Sequence, residues 1–405
     1  MKILRIIARL NVGGPARHVV SLTDALYHDE FESTLIAGSV PSGEEDMSYL
    51  ADACGIKPIF IFEMSRELSV SDAVSLFKVF KEIRRIRPDI IHTHTAKAGT
   101  VGRAAALLHR LLSPFGPRVR IVHTFHGHVF HSYYGRFKTQ IFLLIEKILA
   151  RLATDRIVVI SKQQFDEIHN HFGVGRKEQF RVIPLGIDTA PFDEAASQRV
   201  PIRRELEAAN DEIVVGFVGR LTEIKNLSLY LKAAAMYRSA TANNNGPKIK
   251  FVIVGDGHCR KQLEDEAARL GLGETVIFLG NRLDIAAVYA GLDVVVLTSL
   301  NEGTPLSLIE AMAARKAVIS TVVGGVRDLL GAAIVGKSGF RIHERGVGVE
   351  SGDAAGLING LIYLAKNEKL RETLGRDGRE FIAAIYSKER LVTDIKELYR
   401  TLSKE

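Results

Sequence analysis

The chain has 405 residues, of which 46% are apolar and 25% charged, and its formal charge is +7. This globular composition excludes extended disorder, and the length suits two or three domains of roughly 150 residues each. No apolar run approaches the ~20 residues of a membrane span, the opening MKILRIIARLNVGG lacks a signal-peptide core, and two cysteines 205 positions apart, Cys54 and Cys259, give no disulfide framework, so a reducing cytosol is expected.

Apolar strands alternate with helical patterns along the whole sequence. Lys2 to Ile7 reads as a strand, Gly13-Gly14-Pro15 as a break and Ala16 to Leu26 as a helix. Strands follow at Ser33 to Ala37, Asp89 to His94, Arg120 to Thr124, Arg156 to Ser161 and Phe180 to Ile183, with a helix over Val101 to Leu112. A second series begins after residue 210. Its strands are Ile213 to Val218, Ile249 to Val254, Val276 to Leu279, Val294 to Leu297 and Ala317 to Ser320. Its helices are Glu264 to Leu270, Pro305 to Ala314 and Ala355 to Ala365. Strands separated by helices imply a parallel sheet with right-handed crossovers. The spacing therefore predicts an α/β protein of two doubly wound, Rossmann-like domains, 1–188 and 200–384, with an active-site cleft between them. Leu185 to Pro201 reads as the linker, and Asn243-Asn244-Asn245-Gly246 as a loop tip. From Lys388 to Leu402, Leu391, Val392, Ile395, Leu398, Tyr399 and Leu402 make one helical stripe, which requires a packing partner.

The strongest local motif is Asn301-Glu302-Gly303-Thr304-Pro305-Leu306, continuing through Glu310 and following the strand at Val294. Thr304 suits an N-cap and Pro305 a first helical position. The free backbone N–H groups of that first turn form a ready anion site. Carboxylates on either side, Glu302 and Glu310, can grip hydroxyls flanking a diphosphate, the layout of a sugar nucleotide. Gly219-Arg220-Leu221-Thr222-Glu223-Ile224-Lys225-Asn226 supplies a guanidinium fork and an ammonium suited to the same diphosphate, whose departing charge must be stabilised in glycosyl transfer. Adjacent Gly13 and Gly14 let backbone approach a phosphate or sugar, although the spacing is not the dinucleotide fingerprint. No G-x-x-x-x-G-K-[ST] occurs, which excludes a P-loop NTPase.

Seven of thirteen histidines lie between His92 and His131: His92, His94, His109, His123, His126, His128 and His131. Two H-x-H pairs admit metal ligation, but no cysteine joins them and acids are scarce. Hydrogen bonding towards a sugar is the favoured reading, with His123 structural. The window Lys97 to Arg151 holds nine Lys or Arg against Glu146 alone, which suggests a polyanionic or anionic membrane-surface partner, with a solvated face and a phosphate-binding cleft as the alternative. Within it Phe137 to Leu152 reads as a basic amphipathic helix whose apolar surface is Phe142, Leu143, Ile145, Leu149 and Leu152, with Arg136, Lys138, Lys147 and Arg151 as its charges.

Together these motifs resemble the retaining GT-B glycosyltransferases of glycosyltransferase family 4. The resemblance covers nearly the whole chain, through Gly13-Gly14, Thr124-Phe125-His126, Pro184-Leu185-Gly186-Ile187-Asp188, Gly219-Arg220…Lys225-Asn226, Gly255-Asp256-Gly257 and Glu302…Glu310 with seven residues between. It implies that Glu302 binds the donor hexose, Glu310 the ribose, and Arg220 and Lys225 the diphosphate, helped by amides of Gly303, Thr304 and Leu306 and by Gly14. It implies Arg282 beside the nucleobase and His126 near the reacting carbon. It further implies metal-independence, no nucleic-acid partner, and a terminal helix from Lys388 that crosses back to the N-terminal domain. The runs His92 to Gly99 and His123 to Phe130 resemble a subgroup of bacterial surface-polysaccharide synthesis, with a lipid-linked or glycan acceptor and a cytoplasmic, membrane-peripheral location. UDP is the first expectation for the donor base and GDP the second. A GT-B sugar-nucleotide 2-epimerase and a non-catalytic sugar-nucleotide-binding protein are the alternatives.

Overall fold

The computed structural model describes residues 1–11, 13–27, 30–40, 46–64, 71–127, 136–241, 246–273 and 275–405. His128, His131 and Asn243 to Asn245 fall outside them. The chain forms two units, residues 1–186 with 388–405, and residues 187–387.

The first unit is a seven-stranded parallel sheet. Its strands are β1 (Lys2–Ile7), β2 (Glu32–Gly38), β3 (Ile59–Ile61), β4 (Ile90–His94), β5 (Arg120–Phe125), β6 (Arg156–Val159) and β7 (Phe180–Val182), in the order β3-β2-β1-β4-β5-β6-β7. Helices return the chain to each next strand. Strand order reverses at β1, so its carboxyl end and that of β4 flank a topological switch point, the place where open α/β sheets bind ligands. The Lys388–Lys404 helix belongs to this unit. It buries Leu391, Ile395, Leu398, Tyr399 and Leu402 against Ile3, Leu22, Phe31 and Val122, the partner its stripe required.

The second unit carries β8 (Ile213–Val218), β9 (Ile249–Val254), β10 (Val276–Gly280), β11 (Val294–Leu297), β12 (Ala317–Thr321), β13 (Ala333–Lys337), β14 (Phe340–His343) and β15 (Val347–Val349), ordered β10-β9-β8-β11-β12-β15-β14-β13. The Val-Val-Val-Leu run of β11 is buried at every position, as a central strand covered on both faces must be. Its switch point lies between β8 and β11. This sheet is not wholly parallel: β14 runs antiparallel to both β13 and β15. The β13–β14 hairpin closes through Ser338 and Gly339, with Gly339 at φ +83.

The segment expected as an irregular linker is largely helical, with helices Ala190–Glu194 and Arg199–Glu205 joined by a 3₁₀ turn, Ala195–Gln198. Each piece is too short to show a period. Polar anchoring fixes them: Arg199 and Arg203 both bind Asp293, at 2.6 and 2.8 Å, while Ile202 and Leu206 are buried.

The Arg136–Leu152 helix presents a different face from the one its sequence suggests. Phe142 and Leu149 are buried, and Leu143 and Ile145 pack against the cores. Glu146 is also buried, gripped through both oxygens by fully buried Arg103 at 2.6 Å. Ile141, Leu144, Ile148 and Leu152 face outward. Arg103 and Lys97, which pairs with Asp72, are both buried, so the surface field of this window is smaller than its formal charge.

Candidate functional site

Each switch point carries polar side chains. In the second unit, the loop after β8 runs Gly219-Arg220 into a 3₁₀ turn, Glu223–Lys225, closed by Asn226 in the left-handed region. Two bonds tie it to the loop after β11: Leu300 N–H to the Ile224 carbonyl at 2.8 Å, and Thr298 Oγ1 to the Lys225 carbonyl at 2.8 Å. This brings Lys225 Nζ to 2.5 Å from Glu302 Oε1, which also accepts from Ser299 Oγ at 2.6 Å. Arg220 is exposed one residue beyond Gly219.

The helix after β11 spans Leu306–Ala313. Its N-cap is Pro305, in extended conformation, rather than Thr304, and no side chain caps it. The expected cap lies one residue early because Pro305 takes φ −72 but ψ 115, which keeps it outside the helix. First-turn amides around Leu306 are thus left for a ligand. Glu310 is buried on this helix, and Tyr289 donates its hydroxyl to Glu310 Oε2 at 3.1 Å.

Glycines supply a part of this site that the motif reading missed. Gly324, at φ +50, lies so close to the Glu302 carbonyl that an added Cβ would sit 1.8 Å from its oxygen, and Gly325 stands equally close to Gly303. Gly325 N–H donates to the Glu302 carbonyl at 3.1 Å. A Gly-Gly pair just beyond a strand was the available signal. Arg282 is differently engaged from the expectation. Its guanidinium is clamped by Asp284, at 2.7 and 2.8 Å, and by Glu205, which together raise its pKa. Its fork is therefore already occupied by carboxylates.

In the first unit, Gly13 is the N-cap and Gly14 the first residue of the Gly14–Ala25 helix. One turn on, His18 is buried and its ring meets that of His126, centroids 4.8 Å apart, and that of His94 at 5.8 Å. His94 ends β4, His126 follows β5, and their Nδ1 and Nε2 stand 2.9 Å apart. Both ring nitrogens of His18, Nε2 of His94 and Nδ1 of His126 have no hydrogen-bond partner among the described residues. Burial depresses the pKa of all three, that of His126 to about 3, so the imidazoles are neutral. His92 bridges Tyr399 Oη, at 2.6 Å, and Thr124 Oγ1, at 2.7 Å, while His123 meets Thr93 Oγ1 at 2.8 Å. Those two are structural; His18 is the group member that sequence spacing did not single out.

The three imidazoles lie near enough to surround a cation. The guanidinium of Arg5, however, acts on both His18 and His94, and that of Arg390 on His18. A buried dication there would meet these positive neighbours. Neutral imidazoles with unpaired nitrogens suit the hydroxyls of a sugar better.

Two doubly wound sheets, each with polar groups at its switch point, define the class of α/β sugar-nucleotide enzymes with the GT-B fold. Residues 12–191 match Glycosyltransferase Family 4, and residues 198–381 match Glycosyl transferases group 1. The chain belongs to these glycosyltransferases. It is 29% identical over 353 residues to an Escherichia coli UDP-Gal:alpha-D-GlcNAc-diphosphoundecaprenol alpha-1,3-galactosyltransferase, covering 87% of this chain and 85% of that protein. It is 25% identical to the Staphylococcus aureus capsular polysaccharide biosynthesis glycosyltransferase CapM, covering 85% of each. Among solved structures, Anabaena HepE in complex with UDP and glucose shares the fold with a TM-score of 0.78 at 22% identity, over the full length of both chains.

Proposed function

We propose that the enzyme is a retaining, metal-independent transferase that moves a hexosyl or N-acetylhexosaminyl group from a UDP-sugar to a lipid-linked or glycan acceptor in surface-polysaccharide synthesis. The observation that carries this reading is the second switch point, where Lys225, Glu302, Glu310 and an uncapped helix start converge. Glu310, held by Tyr289, is the ribose ligand. Glu302 orients the hexose, and Lys225, Arg220 and the amides of Gly303 to Leu306 take up charge as the diphosphate leaves. With that charge carried by side chains and amides, no divalent cation is required.

His126, with the free nitrogens of His18 and His94, meets the transferred sugar. A group whose pKa is about 3 is a weak base at neutral pH, so deprotonation of the acceptor by His126, as an inverting displacement would demand, gains little. The name of the E. coli relative includes a UDP-sugar and a lipid diphosphate-linked acceptor. An acceptor of that kind would hold this enzyme at the cytoplasmic surface of a membrane. Incubation with UDP-sugars and a polyprenyl-diphosphate-linked sugar tests the reading. Transfer with an α-linked product from an α-donor is expected; 2-epimerisation without transfer would overturn it.

A further inference from the structure

A group of metal-ligating side chains lies in the second unit, apart from the donor carboxylates. Glu223 opens the 3₁₀ turn that ends in Lys225, and His258 and Cys259 follow Gly257 in the loop after β9. Glu223 Oε2 stands 2.7 Å from His258 Nε2, and the Cys259 thiol is hydrogen-bonded to the same carboxylate. A carboxylate oxygen, an imidazole nitrogen and Sγ thus lie within 4.8 Å of one another. Cys259 is buried, while the His258 and Glu223 side chains are 63% and 76% exposed, so the group is open to solvent on one side.

Backbone contacts place these ligands independently of their own side chains. Leu221 N–H donates to the Asp256 carbonyl at 2.9 Å, and Cys259 N–H donates back to the Leu221 carbonyl at 3.2 Å. An added Cβ at Gly257 would meet the Leu221 carbonyl oxygen at 2.3 Å, so glycine is what lets the two loops come this close. Neighbouring cations are engaged elsewhere: Arg260 with Asp256 and Glu264, at 2.9 and 2.8 Å, and Lys225 with Glu302.

The donor set narrows its occupant. In a Cys–His nucleophile the imidazole takes the thiol proton. Here the thiol bonds to Glu223 instead, and burial, then the Glu223 charge, push the Cys259 pKa up, which disfavours a reactive thiolate. Magnesium and calcium take oxygen ligands, whereas sulfur, imidazole and carboxylate together suit zinc. A thiolate and a carboxylate also balance the charge of a dication, which the three neutral imidazoles of the first unit do not. Three protein ligands leave the fourth tetrahedral position to water.

We propose that Glu223, His258 and Cys259 bind a zinc-class divalent cation, which clamps the turn bearing Lys225 to the loop after β9. The ion replaces the thiol proton, which passes to solvent, and it takes no part in sugar transfer.

Titration of the metal-free full chain with zinc chloride or cobalt chloride tests the site without donor or acceptor, so that it can fail while sugar transfer succeeds. Zinc is expected to bind with proton release and to raise the thermal midpoint. Cobalt is expected to give thiolate-to-metal charge-transfer absorption in the near ultraviolet. Cys259→Ser should abolish that band, and Cys54→Ser should keep it. His258→Ala and Glu223→Gln, both at surface positions, should each weaken zinc binding on the order of tenfold or more. A cobalt complex without the thiolate band, or zinc affinity unchanged in the Cys259→Ser, His258→Ala and Glu223→Gln variants, overturns the proposal. So does zinc uptake lost in His18→Ala and retained in Cys259→Ser, because the imidazoles of the first unit would then be the site.

Discussion

Lys225 and Glu302 are 77 residues apart in sequence, yet their side chains meet at 2.5 Å, joining the loops at the ends of two adjacent strands. The pair is largely shielded, with side-chain exposures of 20% and 11%. It holds the ammonium beside the uncapped helix start before any donor arrives.

Glu302→Ala is expected to abolish transfer while leaving UDP affinity largely intact, and Lys225→Ala or Arg220→Ala to lower turnover on the order of 100-fold or more. Because Lys225 and Glu302 touch, the double variant should cost less than the two single losses combined. Steady-state kinetics and calorimetric titration with UDP measure both quantities. Wild-type turnover in the single variants would remove this assignment.

Glu310→Ala should instead weaken nucleotide binding. Tyr289, whose single hydroxyl proton is shared between Glu310 Oε2 at 3.1 Å and the Ser307 carbonyl at 3.0 Å, is a positioning residue. Tyr289→Phe should raise the donor KM severalfold with kcat little changed, an effect on the order of 1 kcal/mol for one lost hydrogen bond. A fall in kcat at constant KM would contradict that role.

Activity is expected to survive EDTA. Loss on chelation, restored by a divalent ion and abolished by His18→Ala, would mean that the three imidazoles hold a metal despite their positive surroundings.

Backbone contact at Gly324 leads to a sharper test. Gly324→Ala must accommodate both φ +50 and a Cβ 1.8 Å from the Glu302 carbonyl, so a loss of about 1–3 kcal/mol and of most activity is expected. At Gly336 an added Cβ meets nothing within 4 Å, and Gly336→Ala should stay within about 0.5 kcal/mol. Urea denaturation of the two variants measures the difference.

Acid should destabilise the first unit. Burial holds His18, His92, His94 and His123 well below 6.5 and His126 at about 3, so between 6.5 and these values the unfolded chain binds more protons than the native one. Their contribution is complete above 6.5 and declines as pH falls, by up to ~1.4 kcal/mol per pH unit for each histidine. His126→Gln should flatten the pH dependence of the unfolding free energy by one such increment.

Most strands of both sheets and the motifs at their switch points were legible because buried parallel strands and glycine-bounded loops leave compact signals; the three-residue edge strand β3, with Phe60 exposed, was not. The antiparallel end of the second sheet was not: β13 is exposed at all five positions and β15 has three residues, too little for a period to register. The outward face of the Arg136–Leu152 helix was hidden by abundance, since apolar residues occur almost all round it. Its inward side is marked by its one acid, Glu146, whose burial depends on Arg103 from another helix. The His18–His94–His126 group joins three segments, and only the topology shows that β1, β4 and β5 lie side by side.

The Lys388–Lys404 helix supplies five buried side chains to a core that begins at Ile3, and its Tyr399 reaches His92 beside the histidine group. A ribosome making this chain releases the residues of the first sheet long before their last packing partners exist. The middle unit, continuous from 187 to 387, has no such wait. The second half of the protein can thus be finished first, while the histidine pocket matures only after the residues beyond Lys388 emerge. A truncation ahead of that helix would leave Phe31 and Leu22 uncovered, making the nascent first unit a natural client for chaperones.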